Sequence, residues 1–339
     1  MLDVRKLRLL RELAHRETIA AVAEALSYTP SAVSQQLAAL EREAGVPLLR
    51  RTGRRVVLTP AGAALAERTE QILALLEQAS GALAATRAGL AGPLRIGAFP
   101  TAVRTILPAA LVALGRDHPD LELMVTELDP AAVPAALRSG ALDVALIHDY
   151  DYVPAEPDPA LDTEPLFEEA IYLATSGAAG AAGAAGPGRD PVWGCRDAPW
   201  IVGSPDTLCH AMAVRACQAA GFTPRIRHHA DDFATVLALV AAGQGVALVP
   251  QLGATGATGP PGGVALTPLP TRRRTRIAYR SGTRDQPPVA ACAAAIRASA
   301  RALGVDVPGT GSRARAGSVG GWPGGQRRRG AGRGIAQPP

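Results

Sequence analysis

Polar residues near the N-terminus have the types and the spacing needed to bind DNA. Ser31 and Gln35 lie four residues apart, and therefore on one face of a helix, with Ser34 beside them. A glutamine can make paired hydrogen bonds to adenine, and a serine can bond to either kind of base edge. Four arginines, which suit contact with phosphates or with the minor groove, follow closely: Arg50, Arg51, Arg54 and Arg55. We expect these residues to form a DNA-reading surface.

Hydroxyl groups further along the chain could bind a small molecule. Thr101 lies between a predicted strand and the predicted helix that follows it. Ser204 and Thr207 lie between a second predicted strand and the helix that follows that strand. A helix N-terminus offers free backbone N–H groups and favours an anionic or carbonyl-bearing ligand. Two such ends on two subdomains would form an interdomain cleft. The alternative is that the three hydroxyls only cap their helices, which is the commonest role of such residues.

Histidines add weaker signals to this hypothesis. His148 ends a strand-like run, from which it could line the cleft, although a structural histidine explains it equally well. His228 and His229 with Asp231 and Asp232 could suggest a metal site, but no second ligand group lies at a recognisable spacing. We interpret these four residues as a polar stretch before a helix and expect no metal.

The motifs of common enzyme classes are missing from the sequence. It contains no G-x-S-x-G elbow, no P-loop and no G-x-G-x-x-G, and Gly243-Gln244-Gly245 precedes a strand where a phosphate loop would follow one. The cysteines at positions 195, 209, 217 and 292 form no C-x-x-C pair, so we expect reduced thiols. We therefore predict that the chain is not an enzyme and has no cofactor.

Three short helices and a hairpin are predicted to position the DNA-reading residues. Apolar residues recur at helical spacing from Val4 to Leu13, a second helix fits residues 19–26, and a third runs from Pro30 to about Ala44. Two β-prone runs follow, at residues 47–51 and 54–58, with a turn between them. This order makes a winged helix-turn-helix, whose third helix enters the major groove.

The ends and the buried face of the third helix can also be assigned. Thr29 suits its N-cap and Gly45 its end. Val33, Leu37 and Leu40 lie at helical spacing and should face the core. The alternative to a DNA-reading unit is a small helical subdomain with a rim of solvated arginines.

A long helix is predicted after this unit, from Pro60 to Ala88. Six residues along it are spaced alternately four and three apart: Leu65, Thr69, Ile72, Leu76, Ala79 and Leu83. Such a 3.5-residue repeat is typical of a seam between two helices, so we expect this helix to pair two copies of the chain. The alternative is a helix that packs on its own domain.

The region from Pro93 to about Ala300 predicts an α/β fold, because strand-like runs alternate with helical ones. The strand candidates are residues 94–99, 121–128, 144–148, 171–174, 200–203, 246–249 and 275–280. This alternation is typical of largely parallel sheets. Low-complexity loops at 177–188 and 253–263 interrupt it, and the stretch from Gly304 onward is predicted to be a disordered basic tail.

The N-terminus and the hydropathy of the chain favour a cytoplasmic location. Residues 1–17 carry charges throughout and lack the apolar core of a signal peptide. The most apolar stretch, residues 234–250, is broken by glycines and is short for a membrane span of about 20 residues. A net charge of +5 favours a polyanionic partner. We expect no contact with a membrane.

Three motifs in the N-terminal part resemble those of LysR-type transcriptional regulators. The run from Thr29 to Glu41 looks like the recognition helix of that family, and residues 45–51 and 58–62 follow in the expected order and spacing. The resemblance covers Met1 to about Leu303 and is to actinobacterial members in particular. The family commonly has Ser-Gln-Pro-Ala where this chain has Thr29-Pro30-Ser31-Ala32, and often Arg in place of Gln35. We therefore expect its operator to differ from typical sites of the family.

The resemblance implies the domain organisation and a set of binding residues. The winged helix-turn-helix domain would span residues 1–59, a dimerisation helix 60–91, an effector-binding domain 92–303 and the tail 304–339. The effector-binding domain would have two subdomains like those of periplasmic binding proteins, the first at about 92–165 and 266–303 and the second at about 166–265. The candidate DNA-binding residues are Thr29, Pro30, Ser31, Ser34, Gln35, Arg51 and Arg54. The candidate effector-binding residues are Thr101, Ala102, His148, Ser204 and Thr207.

These observations together predict a sequence-specific transcriptional regulator whose DNA binding is modulated by a small molecule. Its expected partners are double-stranded DNA with a promoter inverted repeat, an anionic or carbonyl-bearing effector, further copies of the chain in a homodimer or homotetramer, and RNA polymerase. The alternative is a free-standing solute-binding protein. That class would explain residues 93–300 equally well, but it would not explain the winged helix-turn-helix.

Overall fold

The structure, a computed structural model, describes residues 1–53, 55–84, 86, 89–177, 190–254 and 261–303, with the backbone alone at residues 55 and 84. Arg54 lies outside the described residues, as do the predicted tail from residue 304 and most of the two low-complexity loops. No helix in the described ranges is long and apolar enough to cross a membrane.

The N-terminal part, here called the head, consists of three helices and an antiparallel hairpin. Its elements are α1 (Val4–Arg16), α2 (Ile19–Ala25), α3 (Pro30–Ala44), β1 (Leu49–Thr52) and β2 (Arg55–Leu58). The side chain of the N-cap residue accepts a hydrogen bond from a backbone N–H of the first turn in each helix. These N-cap residues are Asp3 for α1, Thr18 for α2 and Thr29 for α3. Gly45 ends α3 in the left-handed conformation. The predicted winged helix-turn-helix is thus confirmed.

The head has its own apolar core, to which each helix contributes one face. Val33, Leu37 and Leu40 of α3 are buried, which confirms the prediction for these three positions. They belong to one cluster with Leu10 of α1 and Val22 of α2. Because this face of α3 is fixed in the core, its opposite face is held toward solvent.

Close backbone contacts lock the chain after the hairpin to the start of β1. Thr59 donates its N–H to the carbonyl of Leu48 at 2.9 Å and its hydroxyl to the carbonyl of Pro47 at 2.8 Å. A Cβ atom on Gly62 would lie 2.1 Å from the Leu48 carbonyl oxygen, so only glycine fits at this position. These contacts fix the direction in which the next helix leaves the head.

That helix, α4 (Pro60–Ala84), packs on the head along its first half and extends beyond it along its second. Thr69 is buried, and Leu65 and Ile72 pack against the head core. Leu76 and Leu83 are 42% and 71% exposed. The predicted continuous two-helix seam is therefore wrong for the first half, because α1 already covers it. An uncovered apolar stretch remains in the second half.

The rest of the chain forms two α/β lobes around a six-stranded sheet of order β4-β3-β5-β10-β6-β9. Its elements, in chain order, are β3 (Gly92–Ala98), α5 (Pro100–Thr105), α6 (Leu107–Asp117), β4 (Leu121–Glu127), α7 (Val133–Ser139), β5 (Val144–Tyr150), β6 (Leu161–Ser176), β7 (Pro199–Val202), α8 (Leu208–Ala219), β8 (Arg225–His229), α9 (Phe233–Ala241), β9 (Ala247–Pro250), α10 (Gln251–Ala254), β10 (Val264–Arg280) and α11 (Pro287–Arg301). The first lobe holds β3, β4 and β5 with α5, α6, α7 and α11, and the second holds β7, β8 and β9 with α8, α9 and α10.

The two longest strands, β6 and β10, join the lobes. They pair antiparallel along almost their whole length. The second half of β10 also pairs with β5 of the first lobe, and the second half of β6 pairs with β9 of the second lobe. Their register shifts between Pro268 and Arg272, where the chain passes from one lobe to the other. Any movement of one lobe against the other must therefore pass through these two strands.

The sheet differs from the largely parallel one that the sequence predicts. β3 is parallel to β4 and β5, but β10 is antiparallel to β5 and β6, and β6 is antiparallel to β9. β6 and β10 also extend well beyond the predicted runs 171–174 and 275–280. The stretch interpreted as merely polar, which contains His228 and His229, includes strand β8, paired in parallel with β7.

Candidate functional site

The exposed face of α3 presents the polar residues that the sequence predicts to read DNA. Ser31, Ser34 and Gln35 are all exposed. The Ser34 hydroxyl donates to the carbonyl of Pro30 at 3.0 Å, and the Thr29 side chain caps the helix. Gln35 makes no side-chain hydrogen bond to any residue that the structure describes, so both groups of its amide are available to a base edge.

The hairpin is fixed beside α3 by a carboxylate. Oε1 of Glu41 accepts the N–H groups of Leu48 and Leu49, each at 2.9 Å. Arg50 and Arg51 on β1 are exposed and extend the polar face of α3 with two positive charges. This combination of amide, hydroxyl and guanidinium groups on one surface has the chemistry of a DNA-binding face.

A cavity of about 200 Å³ lies between the two lobes. The first lobe contributes the chain from β3 into α5 and the residues around the end of β4, and the second contributes the N-terminal ends of α8 and α9. Strand β5 of the first lobe contributes His148, and the joining strand β10 contributes Arg273. The principal polar residues that line the cavity are Thr101, Asp129, His148, Thr207, Asp231 and Arg273.

Arg273 is a fully buried guanidinium at the base of this cavity. Its Nε donates to Oε1 of Glu169 at 2.7 Å, and its Nη2 lies 2.6 Å from the same oxygen. Oε2 of Glu169 accepts the N–H of Leu252 at 2.7 Å. The guanidinium carbon also lies 4.8 Å from the centre of the Phe99 ring. Because Glu169 balances the charge, Arg273 offers the cavity hydrogen-bond donors rather than a net positive charge.

His148 lines the cavity with a buried ring whose polar atoms are unsatisfied within the described part of the chain. Its ring lies edge-on to Phe99 and Tyr150, with centres 4.5 and 5.0 Å away. Neither ring nitrogen has a hydrogen-bond partner among the described residues, and neither does the hydroxyl of Thr275 opposite it on β10. Burial, and then the charge of Arg273, lower the pKa of His148 well below its ordinary value, so the ring is neutral at neutral pH. A neutral imidazole offers one donor and one acceptor.

The outer part of the cavity is acidic. Asp129 of the first lobe and Asp231 of the second both line it, with Glu127 at the rim. Burial is the main reason that the pKa of Asp129 is raised, and the negative charge of Asp231 raises it further. Hydrogen bonds from the N–H groups of Ala131 and Leu208 lower this pKa but do not cancel the rise. None of the three carboxylates forms an ion pair with a residue inside the described ranges. The same ranges contain no group of three or more side chains placed to hold a metal ion.

The structure brings together three of the five predicted effector residues. Thr101, His148 and Thr207 all line the cavity. Ala102 does not, and its side chain is fully buried in the core of the first lobe. The physical reason is the helical step of about 100° per residue, which turns Ala102 away from the face that carries Thr101.

Ser204 is the other predicted residue whose position differs. Its N–H and its hydroxyl donate to the two carboxylate oxygens of Asp231, at 2.7 and 2.6 Å, so it positions that carboxylate and is not itself a lining residue. Thr207 does cap α8, by accepting the N–H of His210 at 3.2 Å. Thr101 is no cap, because α5 begins after Phe99 without a side-chain capping bond.

A cysteine also lines the cavity. The Cys209 thiol lies 3.3 Å from the hydroxyl of Tyr150. Burial raises the pKa of Cys209, and the hydrogen bond with Tyr150 and the charge of Arg273 oppose this only in part. A thiol with a raised pKa stays protonated at neutral pH and is a weak nucleophile. The four cysteines are all free thiols.

Three charged lining residues were not predicted from the sequence, namely Asp129, Asp231 and Arg273. One signal for Asp129 was available, because it follows the carboxyl end of β4 next to that of β3, and ligands of α/β sheets bind at such ends. Arg273 stands in a run of arginines on β10, and nothing in the sequence marks it as the buried one.

Helices α4 and α1 contact the first lobe directly. Nε2 of Gln286 donates to Oε2 of Glu77 on α4 at 3.0 Å. Gly282 has a φ of 84°, and a Cβ atom there would lie 2.3 Å from the carbonyl oxygen of Ala74 on α4. Arg11 of α1 donates to a backbone carbonyl of α7 at 3.2 Å. The lobe that carries Thr101 is thus in contact with both the head and the helix that follows it.

Two protein families match the chain. The family described as "Bacterial regulatory helix-turn-helix protein, lysR family" matches residues 4–63. The family described as "LysR substrate binding domain" matches residues 87–301. The first match covers the head, and the second covers both lobes.

Individual proteins match over most of their length. A "Probable hydrogen peroxide-inducible genes activator" from Streptomyces viridosporus is 32% identical over 322 residues, which cover 90% of this chain and 99% of that protein. A protein of the same description from Mycobacterium avium is 32% identical over 246 residues, 72% of this chain and 76% of its own. The solved structure of a full-length cysteine variant of OxyR from Pseudomonas aeruginosa is 24% identical, with a TM-score of 0.56 and coverage of 90% and 97%. That likeness shows the fold.

Proposed function

This chain belongs to the LysR family of transcriptional regulators, and we propose that α3 and the hairpin bind promoter DNA while the cavity between the lobes holds the effector. Members of this family bind DNA and a small-molecule effector, form oligomers and are not enzymes. The observation that supports the effector site best is His148, whose two buried ring nitrogens have no partner among the described residues. A buried polar group without a partner costs about 1–3 kcal/mol, so a molecule that supplies the partners is stabilised there.

On the DNA side, we propose that Ser31, Ser34 and Gln35 contact bases and that Arg51 and Arg54 contact the backbone. Two copies of the chain would read an interrupted inverted repeat, since two-fold proteins bind two-fold sites. The exposed stretch of α4 around Leu76 and Leu83 is the proposed surface for pairing the copies, in a dimer or a tetramer. The proposed domain bounds remain 1–59, 60–91 and 92–303, and the proposed setting is the cytoplasm, where RNA polymerase is a further partner.

The effector is proposed to be a small carbonyl-bearing molecule. Thr101, His148 and Arg273 offer hydrogen-bond donors that a carbonyl oxygen can accept. A ligand that is only an anion fits less well, because Asp129 and Asp231 face the same space. The cavity of about 200 Å³ is below the range of about 300–1,000 Å³ that is usual for drug-sized ligands, so the molecule is small.

The effector would act on DNA binding by changing how the lobes are arranged. The first lobe contacts α4 through Gln286, which bonds to Glu77, and through Gly282, which lies against Ala74. It also accepts a hydrogen bond from Arg11 of α1. A movement of this lobe is therefore passed to the head. Binding shifts the arrangement only if the ligand prefers one state, and equal affinity for both would change nothing.

The DNA part of this proposal can be tested by fluorescence anisotropy with DNA from the promoter region of the chain's own gene. Arg51→Ala should weaken binding to specific and random DNA alike and reduce the slope of log affinity against log salt by about one. Arg116→Ala, at an exposed position on α6, is the matched control and should leave the slope unchanged. Equal salt slopes for wild type and Arg51→Ala would contradict the proposed contact.

The effector part can be tested with the low-molecular-weight fraction of a cell extract from the source bacterium. This fraction should change the DNA affinity of the wild type, and Thr101→Val, which keeps the side-chain shape and removes the hydroxyl, should abolish the change. Thr223→Val, at an exposed position before β8, is the control and should respond as wild type does. If Thr101→Val responds fully, the effector does not bind where we propose.

A second candidate signal is oxidation of Cys209, because relatives are described as hydrogen peroxide-inducible activators and this thiol lines the cavity. In that reaction the thiol becomes a sulfenic acid and the peroxide is reduced to water. The raised pKa of Cys209 disfavours it, because the thiolate is the reactive form. A Cys209→Ser variant that still responds to the extract would exclude oxidation as the signal, and one that responds to neither extract nor peroxide would favour it.

A further inference from the structure

We propose that the effector is a small amino acid, bound with its carboxylate at the base of the cavity and its ammonium group at the outer, acidic part. This inference rests on the proposed function of the cavity and names the class of molecule that it takes. The base comprises Thr101, His148 and Arg273, here called the donor end. The outer part comprises Asp129 and Asp231, here called the acidic end.

The acidic end requires a cation or several hydrogen-bond donors from its ligand. Asp129 and Asp231 come from opposite lobes, and the negative charge of Asp231 is close enough to disfavour ionisation of Asp129. A positive group between two carboxylates removes this repulsion. Within the described part of the chain, no arginine, lysine or histidine pairs with either carboxylate. An ammonium group with three N–H donors satisfies both.

Both carboxylates retain acceptor capacity toward the cavity. Asp231 accepts one hydrogen bond on each oxygen, both from Ser204. Asp129 accepts the N–H of Ala131 at 2.9 Å on one oxygen, and the N–H of Leu208 also acts on it. Because a carboxylate has about four lone-pair sites, each retains sites for a ligand. The bond with Ser204 also holds Asp231 in place before a ligand binds.

The donor end requires an acceptor from the same ligand. His148 is 4% exposed and has no partner on either ring nitrogen among the described residues, and the Thr101 hydroxyl makes no side-chain bond within them. Arg273 adds guanidinium N–H groups at the base. A carboxylate matches these donors, and its charge lies at the end of the cavity away from the acidic rim. A molecule with one group of each kind satisfies both ends, whereas a simple anion or a simple amine satisfies only one.

The first arm of the test measures binding of free amino acids to the full-length protein by calorimetry. Each of the standard amino acids is titrated, and each binder is compared with its des-amino acid and with its decarboxylated amine. We expect at least one amino acid to bind and both of its analogues to bind at least about tenfold more weakly, since each loses a charged hydrogen-bonded group. A des-amino acid that binds as tightly as its parent would overturn the proposal.

The second arm uses Asp129→Asn, which keeps the shape and the turn contact and removes the charge. It should weaken the amino acid at least about tenfold and leave the affinity for the des-amino analogue unchanged or higher. Asp117→Asn, exposed and paired with its neighbour Arg116, is the control and should change neither affinity. Equal weakening of both ligands by Asp129→Asn would show a merely structural role and would contradict the inference.

The third arm separates failure of this inference from failure of the proposed function. If no amino acid binds, but the low-molecular-weight extract raises the melting temperature of wild type and not of Thr101→Val, the cavity is the effector site and the amino-acid class is wrong. If the extract stabilises neither protein, the proposed effector function fails as well.

Discussion

Replacement of Arg273 by methionine tests whether the buried ion pair at the base of the cavity is an electrostatic unit. Arg273 and Glu169 are 0% and 1% exposed, and two guanidinium nitrogens lie 2.7 and 2.6 Å from one carboxylate oxygen. Methionine fills part of the same volume but supplies neither charge nor donors. The variant therefore leaves the Glu169 carboxylate buried, with the N–H of Leu252 as its one remaining partner among the described residues.

The cost of this change should be large for a single substitution. Removal of one partner from a buried ion pair costs about 3–5 kcal/mol, because the other charge is left uncompensated. The contact of Arg273 with the Phe99 ring, at 4.8 Å, places the cost toward the upper end of that range. Since native stabilities are about 5–15 kcal/mol, the variant should lose a third or more of the free energy of unfolding. The melting temperature should fall by about 10 °C or more.

The assay is urea and thermal denaturation of three proteins, namely wild type, Arg273→Met and the double variant Arg273→Met/Glu169→Leu. Replacing a buried ion pair by apolar residues is often neutral, so the double variant should recover most of the loss. It should remain short of wild type by about 1–3 kcal/mol, because the N–H of Leu252 loses its acceptor. If the double variant is as unstable as the single one, the cost comes from packing and the electrostatic reasoning is refuted.

Three further substitutions test the DNA-reading face, the cavity and the contact between α4 and the first lobe. Gln35→Ala should reduce discrimination at one base pair by about 1–3 kcal/mol, measured by selection of sites from random DNA, and an unchanged preference would exclude Gln35 as a base contact. The pKa of His148 is lowered in the native state, so below the ordinary histidine pKa of 6.5 this side chain is protonated in the unfolded chain but stays neutral in the native protein. The free energy of unfolding therefore falls as the pH falls below 6.5. Between about pH 7.5 and about pH 5.5, the free energy of unfolding of His148→Gln, measured by urea denaturation, should therefore fall by about 1 kcal/mol less than that of wild type. An equal fall in both proteins would mean that His148 has the same pKa in the native and unfolded states. Gly282→Ala should cost at least about 1–3 kcal/mol, because it meets both a φ of 84° and the carbonyl of Ala74, and unchanged stability would contradict the seating of α4 on the first lobe.

The head was predictable from the sequence because its signals are local. The spacing of Val33, Leu37 and Leu40 gives the buried face of α3, and Thr29 and Gly45 give its two ends. Each of these features depends on residues within one or two helical turns of one another. The exposed face that carries Gln35 follows by exclusion, since one side of the helix must pack.

The strands that join the lobes were not predictable in the same way. β6 and β10 carry charged residues along their first-lobe halves, such as Glu164 and Arg276, and the apolar pattern of a buried strand is missing there. Their pairing with each other is non-local, because about a hundred residues separate partners such as Arg273 and Glu169. The order of the strands in the sheet depends on such contacts and not on local propensity.

Some residues of the cavity could be predicted from the sequence, and others could not. Thr101 and Thr207 were identified because each stands at a strand–helix junction, which is a local feature. Asp129 and Asp231 face each other only because the two lobes meet, and no spacing in the sequence indicates that. The acidic character of the site, on which the inferred ligand depends, therefore had to come from the structure.

A footprint of the promoter DNA of the chain's own gene, with and without the low-molecular-weight extract, tests whether a ligand between the lobes controls DNA binding. Wild type should protect an inverted repeat, and the protection pattern should change when the extract is added. Thr101→Val should give the same protection without the extract and no change with it. A change as large in Thr101→Val as in wild type would contradict the claim that a ligand between the lobes controls how the heads bind DNA.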